Sequence, residues 1–311
     1  MFTTLSAVLP FFAVIGLGAF AARRGMIPSS AVGPLNTFVF RFAMPALIIK
    51  ALWSLELAQL VDGRFLLGWL ITGLLMYGLG IVAGAAVFGA APGRGAVRGQ
   101  GSAVSNTGFL GFPLIVAVLG EAAAGPIAMT LLIDLVVIIP LSIAWLEGIR
   151  GGASGRGAIV LRALVRSVRN PFFLSIAAGA ALSALRLPMP DPVERLLGFL
   201  SGAAGPAALF SLGVYLAAHP SAGRWAEAAL LTTAKLLIHP LLVAMILGLV
   251  LGLDGIPLQA ALLVASLPVA ANVFVIAQEY ETAPKLASDA VLISTVVAVF
   301  SVSALTYWLL G

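Results

Sequence analysis

Apolar residues in this chain gather into stretches of about 20, the length a helix needs to cross roughly 30 Å of hydrocarbon, and Gly, Pro and charge clusters punctuate them. The pattern predicts helices near residues 4–22, 33–53, 65–89, 100–119, 125–146, 170–187, 194–217, 226–252, 257–278 and 286–310. Loops between them are short except for EGIRGGASGRGAIVLRALVRSVRN at 147–170. This basic linker, 148–169, separates a first set of five helices in 1–147 from a second set in 170–311. Its AIVLRALVRSV segment reads either as plain loop or as an amphipathic helix lying on an anionic leaflet. The expected fold is an all-α integral membrane protein of ten transmembrane helices.

Two successive sets of five helices must insert with opposite orientation, so an internal repeat here would be an inverted one. Paired features support it. FAMPALIIKAL in the second span and GAAGPAALFSL in the seventh each carry a Pro-Ala pair, Pro45-Ala46 and Pro206-Ala207. SNTGFLGFPLI in the fourth span and SLPVAANVFVI in the ninth each combine a proline with an asparagine deep inside an apolar run. Such Pro- or Gly-interrupted pairs point to the binding site of a transporter.

Composition fixes the solvent. Hydrophobic residues make up 61% of the 311 positions and charged residues 9%, with mean hydropathy +1.12, more apolar surface than one water-soluble core could hide. The apolar run at the start lacks a basic region before it and is followed by Arg23 and Arg24, which indicates a retained first span and not a cleaved leader. There is no cysteine, so disulfides and thiolate metal sites are excluded. The net charge of +5 is a topology signal, with nucleic-acid binding not indicated. Alternate loops place Arg23, Arg24, Arg94, Arg98, Arg150, Arg156, Arg162, Arg166, Arg169, Arg224 and Lys285 on one side. The other side has Arg64, Arg186, Arg195 and Lys50. The cation-rich side is cytoplasmic by the positive-inside rule, which puts both termini in the periplasm of a bacterial inner membrane.

Pro113 and Pro268 each remove a backbone donor and obstruct the carbonyl four residues back, and such a break survives in a membrane only against protein or a water-filled cavity. If the two broken helices cross at mid-membrane, their inner N-termini bring about +0.5 charge each, which favours an anion. Asn106 and Asn272, with Thr107 beside the first, can bind a carboxylate or else patch the freed backbone. Asp134 lies mid-span in the fifth helix, where a charge costs about 2.5–3.5 kcal/mol, so it is a candidate proton carrier or half of a pair. Lys235 and His239 share one face of the eighth helix and can pair with Asp134 or Asp289. Arg41 on the second helix either clamps a carboxylate or extends to the interface. Glu279 and Glu281 read as solvated helix-end charge. His219 and His239 are too isolated for a metal site, and Na+ could bind at unwound carbonyls of the crossover without any signature residue.

The ten-span plan, NTGFLGFP in the fourth span, the proline-asparagine motif in the ninth and the proline-containing second and seventh spans together resemble the auxin efflux carrier family, over essentially the whole chain. That family includes plant PIN carriers and bacterial malonate or malate permeases. The resemblance implies a fold similar to the bile acid sodium symporters. A scaffold (about 1–53 and 170–217) would support a mobile transport domain (about 65–147 and 224–311), with helices 4 and 9 crossing around Asn106, Pro113, Pro268 and Asn272. It leaves room for a homodimer through the scaffold. The long cytoplasmic loop of the plant carriers is absent here, and with it their phosphorylation control.

The leading functional class is therefore a secondary carrier for a small organic carboxylate, working by alternating access, elevator-type, with H+, Na+ or the membrane potential as the driving force. A sodium-coupled symporter of the bile acid type or a cation/proton antiporter is the alternative. A channel lacks its repeated pore loop. An enzyme lacks a nucleophile motif or metal cluster, and no cofactor or nucleotide-binding glycine pattern is present.

Overall fold

The computed structural model describes residues 2–55, 62–149, 161, 165, 168–219 and 223–310. Most of the basic linker, including Arg150, Arg156, Arg162 and Arg166 and the expected amphipathic segment, lies outside them. The described chain is helical. We number the helices α1 Phe2–Arg23, α2 Ser29–Trp53, α3 Gly63–Phe88, α4 Pro92–Ala103, α5 Thr107–Leu119 and α6 Glu121–Ile149. After the linker come α7 Pro171–Ala184, α8 Asp191–Ala218, α9 Trp225–Val250, α10 Gly255–Ala265, α11 Ala271–Glu279 and α12 Pro284–Leu310. Among the described residues six are long and apolar enough to cross a membrane: α2, α3, α6, α8, α9 and α12. Local chemistry sets several starts. The Asp62 carboxylate accepts from the backbone N–H groups of Arg64 and Phe65, and Asn170 caps α7 by accepting from Phe172 N, with Pro171 in the first turn.

Four prolines inside long helices share one backbone register. The residue before each donates its N–H to the carbonyl five positions back instead of four. Met44 donates to Val39, Phe112 to Thr107, Ile139 to Asp134 and His239 to Ala234, immediately before Pro45, Pro113, Pro140 and Pro240. A proline has no N–H and its ring presses on the carbonyl four residues earlier, and one wide π-turn makes room for it without ending the helix. This corrects the expectation for Pro113. The fourth span is interrupted at Val104–Asn106, well before the proline, and Pro113 continues a helix that runs to Leu119.

The packing is that of a protein turned outward to lipid. Phe199, Leu249, Phe300 and Trp308 are more than 70% exposed, whereas Arg98, Glu227, Asp134, Lys235 and Asp289 are buried. α1 lies along α8 at backbone contact: a Cβ on Gly18 would fall on the carbonyl oxygen of Phe210, and one on Gly213 on that of Ile15. Glycine here permits the close approach that binds membrane helices without a hydrophobic driving force. α2 packs on α7 and α8, while α3 packs on α4, α6 on α4 and α10, and α12 on α9 and α11.

α4 begins at Pro92, so Arg98, counted above as a loop cation, is a fully buried helix residue. Its Nε and Nη2 bind Glu227 Oε1 of α9 at 2.8 and 2.6 Å, and its Nη1 donates to the Gly89 carbonyl at 3.0 Å. Arg224 Nη2 takes the other oxygen of Glu227. Burial of a guanidinium is tolerable here because the carboxylate offsets its charge and two of its nitrogens, Nε and Nη1, find acceptors.

Candidate functional site

Between α4 and α5 the chain is non-helical over residues 104–106, with Val104 extended, and between α10 and α11 it is non-helical over residues 266–270. The two gaps meet. Ser105 and Val269 form an antiparallel bridge, Asn106 N donates to Pro268 O at 2.9 Å, and Ala270 N donates to Val104 O at 3.2 Å. Ser105 Oγ reaches back to Val264 O at 2.7 Å, and Val269 N donates to Ser294 Oγ of α12 at 3.0 Å. Each interruption thus satisfies the backbone groups that the other frees, the condition for non-helical backbone away from water. Pro268 belongs here by its chemistry: it cannot donate, it disfavours helix at Leu267, and its carbonyl is the acceptor in the bridge.

The helices that restart after the gaps turn their N-termini to one place. Asn106 is the N-cap of α5 and Ala270 that of α11, and neither cap makes a side-chain bond to the first turn. Thr107 N donates to Ser105 O and Val273 N to Ala270 O; the other first-turn N–H groups lack the acceptor four residues back that later turns have, which keeps these ends partially positive. Asn106 is 2% exposed, and its Nδ2 has no protein partner; Asn272 Oδ1, in the first turn of α11, has none either. A cavity of about 360 Å³ opens on these groups. Polar residues lining it include Asn36, Ser105, Asn106, Asp134, Ser211 and Asn272, and Phe40, Phe109 and Phe172 supply an aromatic wall. Phe40 sits edge-on to Phe109 at 4.7 Å between ring centres and stacks on Phe172 at 4.9 Å.

Asp134 borders the cavity and heads a π-turn in α6. Trp69 Nε1 donates to its Oδ1 at 3.5 Å, and its Oδ2 has no protein partner. The other face of this group is closed. His239 lies 5.3 Å from the Trp69 ring with both nitrogens unpartnered, and Lys235 donates to the Ala265 carbonyl at the end of α10. Lys235 lies within electrostatic reach of Asp134, with no direct ion pair between the two among the described residues, and its charge opposes one on His239.

Of the residues singled out from sequence, the cavity gathers Asn106, Asn272, Asp134 and also Glu279, which is exposed at the end of α11. Thr107 is buried beside Asn106 and bonds Ser105 O at 3.4 Å, off the lining. Pro268 lies in the bridge, and Pro113 packs toward Gly205 of α8. Arg41 is exposed and outside the cavity, which corrects its reading as a carboxylate clamp: Phe40, one position earlier in the π-turn of α2, takes the inward direction. Asp289 accepts from the backbone N–H of Arg224 at 2.6 Å. Asn36 and Ser211 were not foreseen; each is a single small polar residue in an apolar helix, a weak signal without its partner.

A mostly apolar cavity with a few polar groups, set among lipid-facing helices where two non-helical gaps meet, is the arrangement of a membrane transport protein. The family model for membrane transport proteins matches residues 3–149 and 157–306, and the chain belongs to that family, in agreement with the auxin efflux carrier motifs. It is 36% identical over 301 residues to the "Putative malonate transporter" of Rhizobium meliloti strain 1021, covering 96% of this chain and 94% of the relative. It is 27% identical over 305 residues to an uncharacterized transporter of Methanothermobacter thermautotrophicus, covering 94% of both. Auxin efflux carrier component 3a of Oryza sativa subsp. japonica is 32% identical over 179 residues, 52% of this chain and 29% of that protein. The protein is a multi-pass transporter and not an enzyme.

Proposed function

We propose that the protein is a secondary carrier for a small organic carboxylate, held where the N-termini of α5 and α11 meet. The observation that carries the reading is the pair of uncapped helix starts, with the unpartnered Asn106 Nδ2, at one cavity. Helix N-termini and a neutral amide bind an anion without a buried fixed cation, which lets the empty carrier reorient at lower electrostatic cost. The name of the Rhizobium relative agrees with a carboxylate substrate. In this reading the chain has ten spans in two inverted sets of five, α4–α5 and α10–α11 being single spans that cross at their gaps. α1, α2, α7 and α8 form the scaffold, and the remaining helices form a transport domain that moves elevator-fashion. Asp134, flanked by Lys235 and His239, is the proton-coupling candidate. The protein resides in the inner membrane with both termini periplasmic. Counterflow of labelled malonate in proteoliposomes tests the function: accelerated uptake against preloaded unlabelled malonate supports a carrier, and no uptake above empty liposomes for malonate or succinate refutes a carboxylate substrate.

A further inference from the structure

The cavity has a second polar pole, built by helices other than those that carry Asn106 and Asn272. Ser211 of α8, fully buried, donates its hydroxyl to Asn36 Oδ1 of α2 at 2.6 Å. Both residues line the cavity. An Asn amide has one carbonyl and one NH2 group, and occupying the carbonyl fixes the plane of the amide and leaves the NH2 as the face available to a ligand. The hydroxyl is spent on Asn36, and no other hydrogen bond to the Asn36 side chain occurs among the described residues. The rest of this wall comes from Phe40, Phe172, Leu212, Asn170, whose Oδ1 caps α7, and Tyr215, whose hydroxyl has no protein partner; Asn36 is the amide there that a hydrogen bond from another helix orients.

We propose that the Asn36 amide, held by Ser211, is the specificity-determining contact for a second anionic group, so that the carrier selects short dicarboxylates over monocarboxylates of the same chain length. This deepens the carboxylate reading above and rests on it: one carboxylate sits at the helix N-termini and Asn106, and the other accepts from Asn36. Two poles on different helices also explain why a cavity with an aromatic wall is not simply a pocket for a fatty or aromatic acid. The apolar wall packs the methylene spacer, and the poles meter its ends.

Calorimetric affinities of the purified protein for malonate against propionate, and for succinate against butyrate, test the proposal, since each pair differs by replacement of one carboxylate with methyl. The wild type binds the dicarboxylate of the preferred pair at least tenfold more tightly, the scale set by a hydrogen bond to a charged group. Asn36→Leu collapses that ratio to within about threefold by weakening the dicarboxylate alone, and Asn36→Asp, which sets a carboxylate against a carboxylate, weakens the dicarboxylate at least as far while leaving the monocarboxylate within about threefold. Ser211→Ala frees the amide to turn and reduces the ratio by less. Equal affinity for both members of each pair in the wild type, or an equal loss for both in the Asn36 variants, overturns the proposal while leaving a carboxylate carrier standing. Failure of the wild type to bind any of the four acids overturns the carboxylate reading itself. Ligand ratios within one protein sample are independent of its expression level, so a poorly folding Asn36→Leu leaves the wild-type, Asn36→Asp and Ser211→Ala ratios as the deciding data.

Discussion

Glu227→Gln keeps the size and shape of a side chain that is 2% exposed and removes only its charge. In the wild type the carboxylate answers Arg98 through Nε at 2.8 Å and Nη2 at 2.6 Å, and Arg224 through Nη2. Arg98 is 1% exposed and cannot reach water, so the glutamine leaves a buried guanidinium with one neutral acceptor and a carbonyl, Gly89 O. Removing one member of a buried pair costs about 3–5 kcal/mol, most of it from the stranded charge. Arg224 is partly exposed, and its share is discounted because water screens and replaces the lost partner. The decisive comparison is the double variant Arg98→Met, Glu227→Leu. With no charge left to strand, it should recover most of the loss, since apolar replacements of buried ion pairs are often neutral or better. Thermal melting in detergent, read by the exposure of buried tryptophan, follows both proteins. A Glu227→Gln protein that melts with the wild type, or a double variant as unstable as the single one, refutes the reasoning.

Three further expectations follow from the geometry. Pro113→Ala leaves substrate affinity within about twofold, because the gap lies at Val104–Asn106 and the π-turn already accommodates the proline, whereas Pro268→Ala, which lets α10 extend into the bridge, lowers affinity; binding titrations separate the two. Asp134→Asn flattens the pH dependence of transport while the protein stays folded, and an unchanged pH profile removes Asp134 from the coupling. Reporter fusions at the C-terminus and within residues 150–160, both outside the described residues, report periplasm and cytoplasm respectively; the same side for both excludes the inverted ten-span plan.

Much of the helical plan was legible because lipid imposes it: apolar length alone marks a span. The asparagines of the fourth and ninth spans were visible for a similar reason, since an amide in an apolar run needs an explanation. What misled was the proline. Pro113 looks like a breaker, yet the residues before it can widen one turn, and nothing local distinguishes that outcome from a true gap. The gap at Val104–Asn106 depends on a bridge partner more than 150 residues away in the chain, Val269, and sequence periodicity carries no sign of it. Arg98 was misplaced in a loop because a basic residue beside glycines reads as a connection until Glu227 of α9 is known to lie against it. Asn36 and Ser211 become a contact only once α2 and α8 are packed.

Paired measurements of malonate affinity and melting temperature on Asn106→Ala test the claim that the uncapped helix starts of α5 and α11 bind the substrate. The Nδ2 group of Asn106 has no protein partner, so its removal takes away a buried unsatisfied donor and should leave the ligand-free melting temperature unchanged or raised. Affinity should fall by about tenfold to a hundredfold, the loss of one hydrogen bond to a charged group at about 1.5–3 kcal/mol. A lower melting temperature with unchanged affinity would contradict the claim and make the asparagine a patch for the broken backbone.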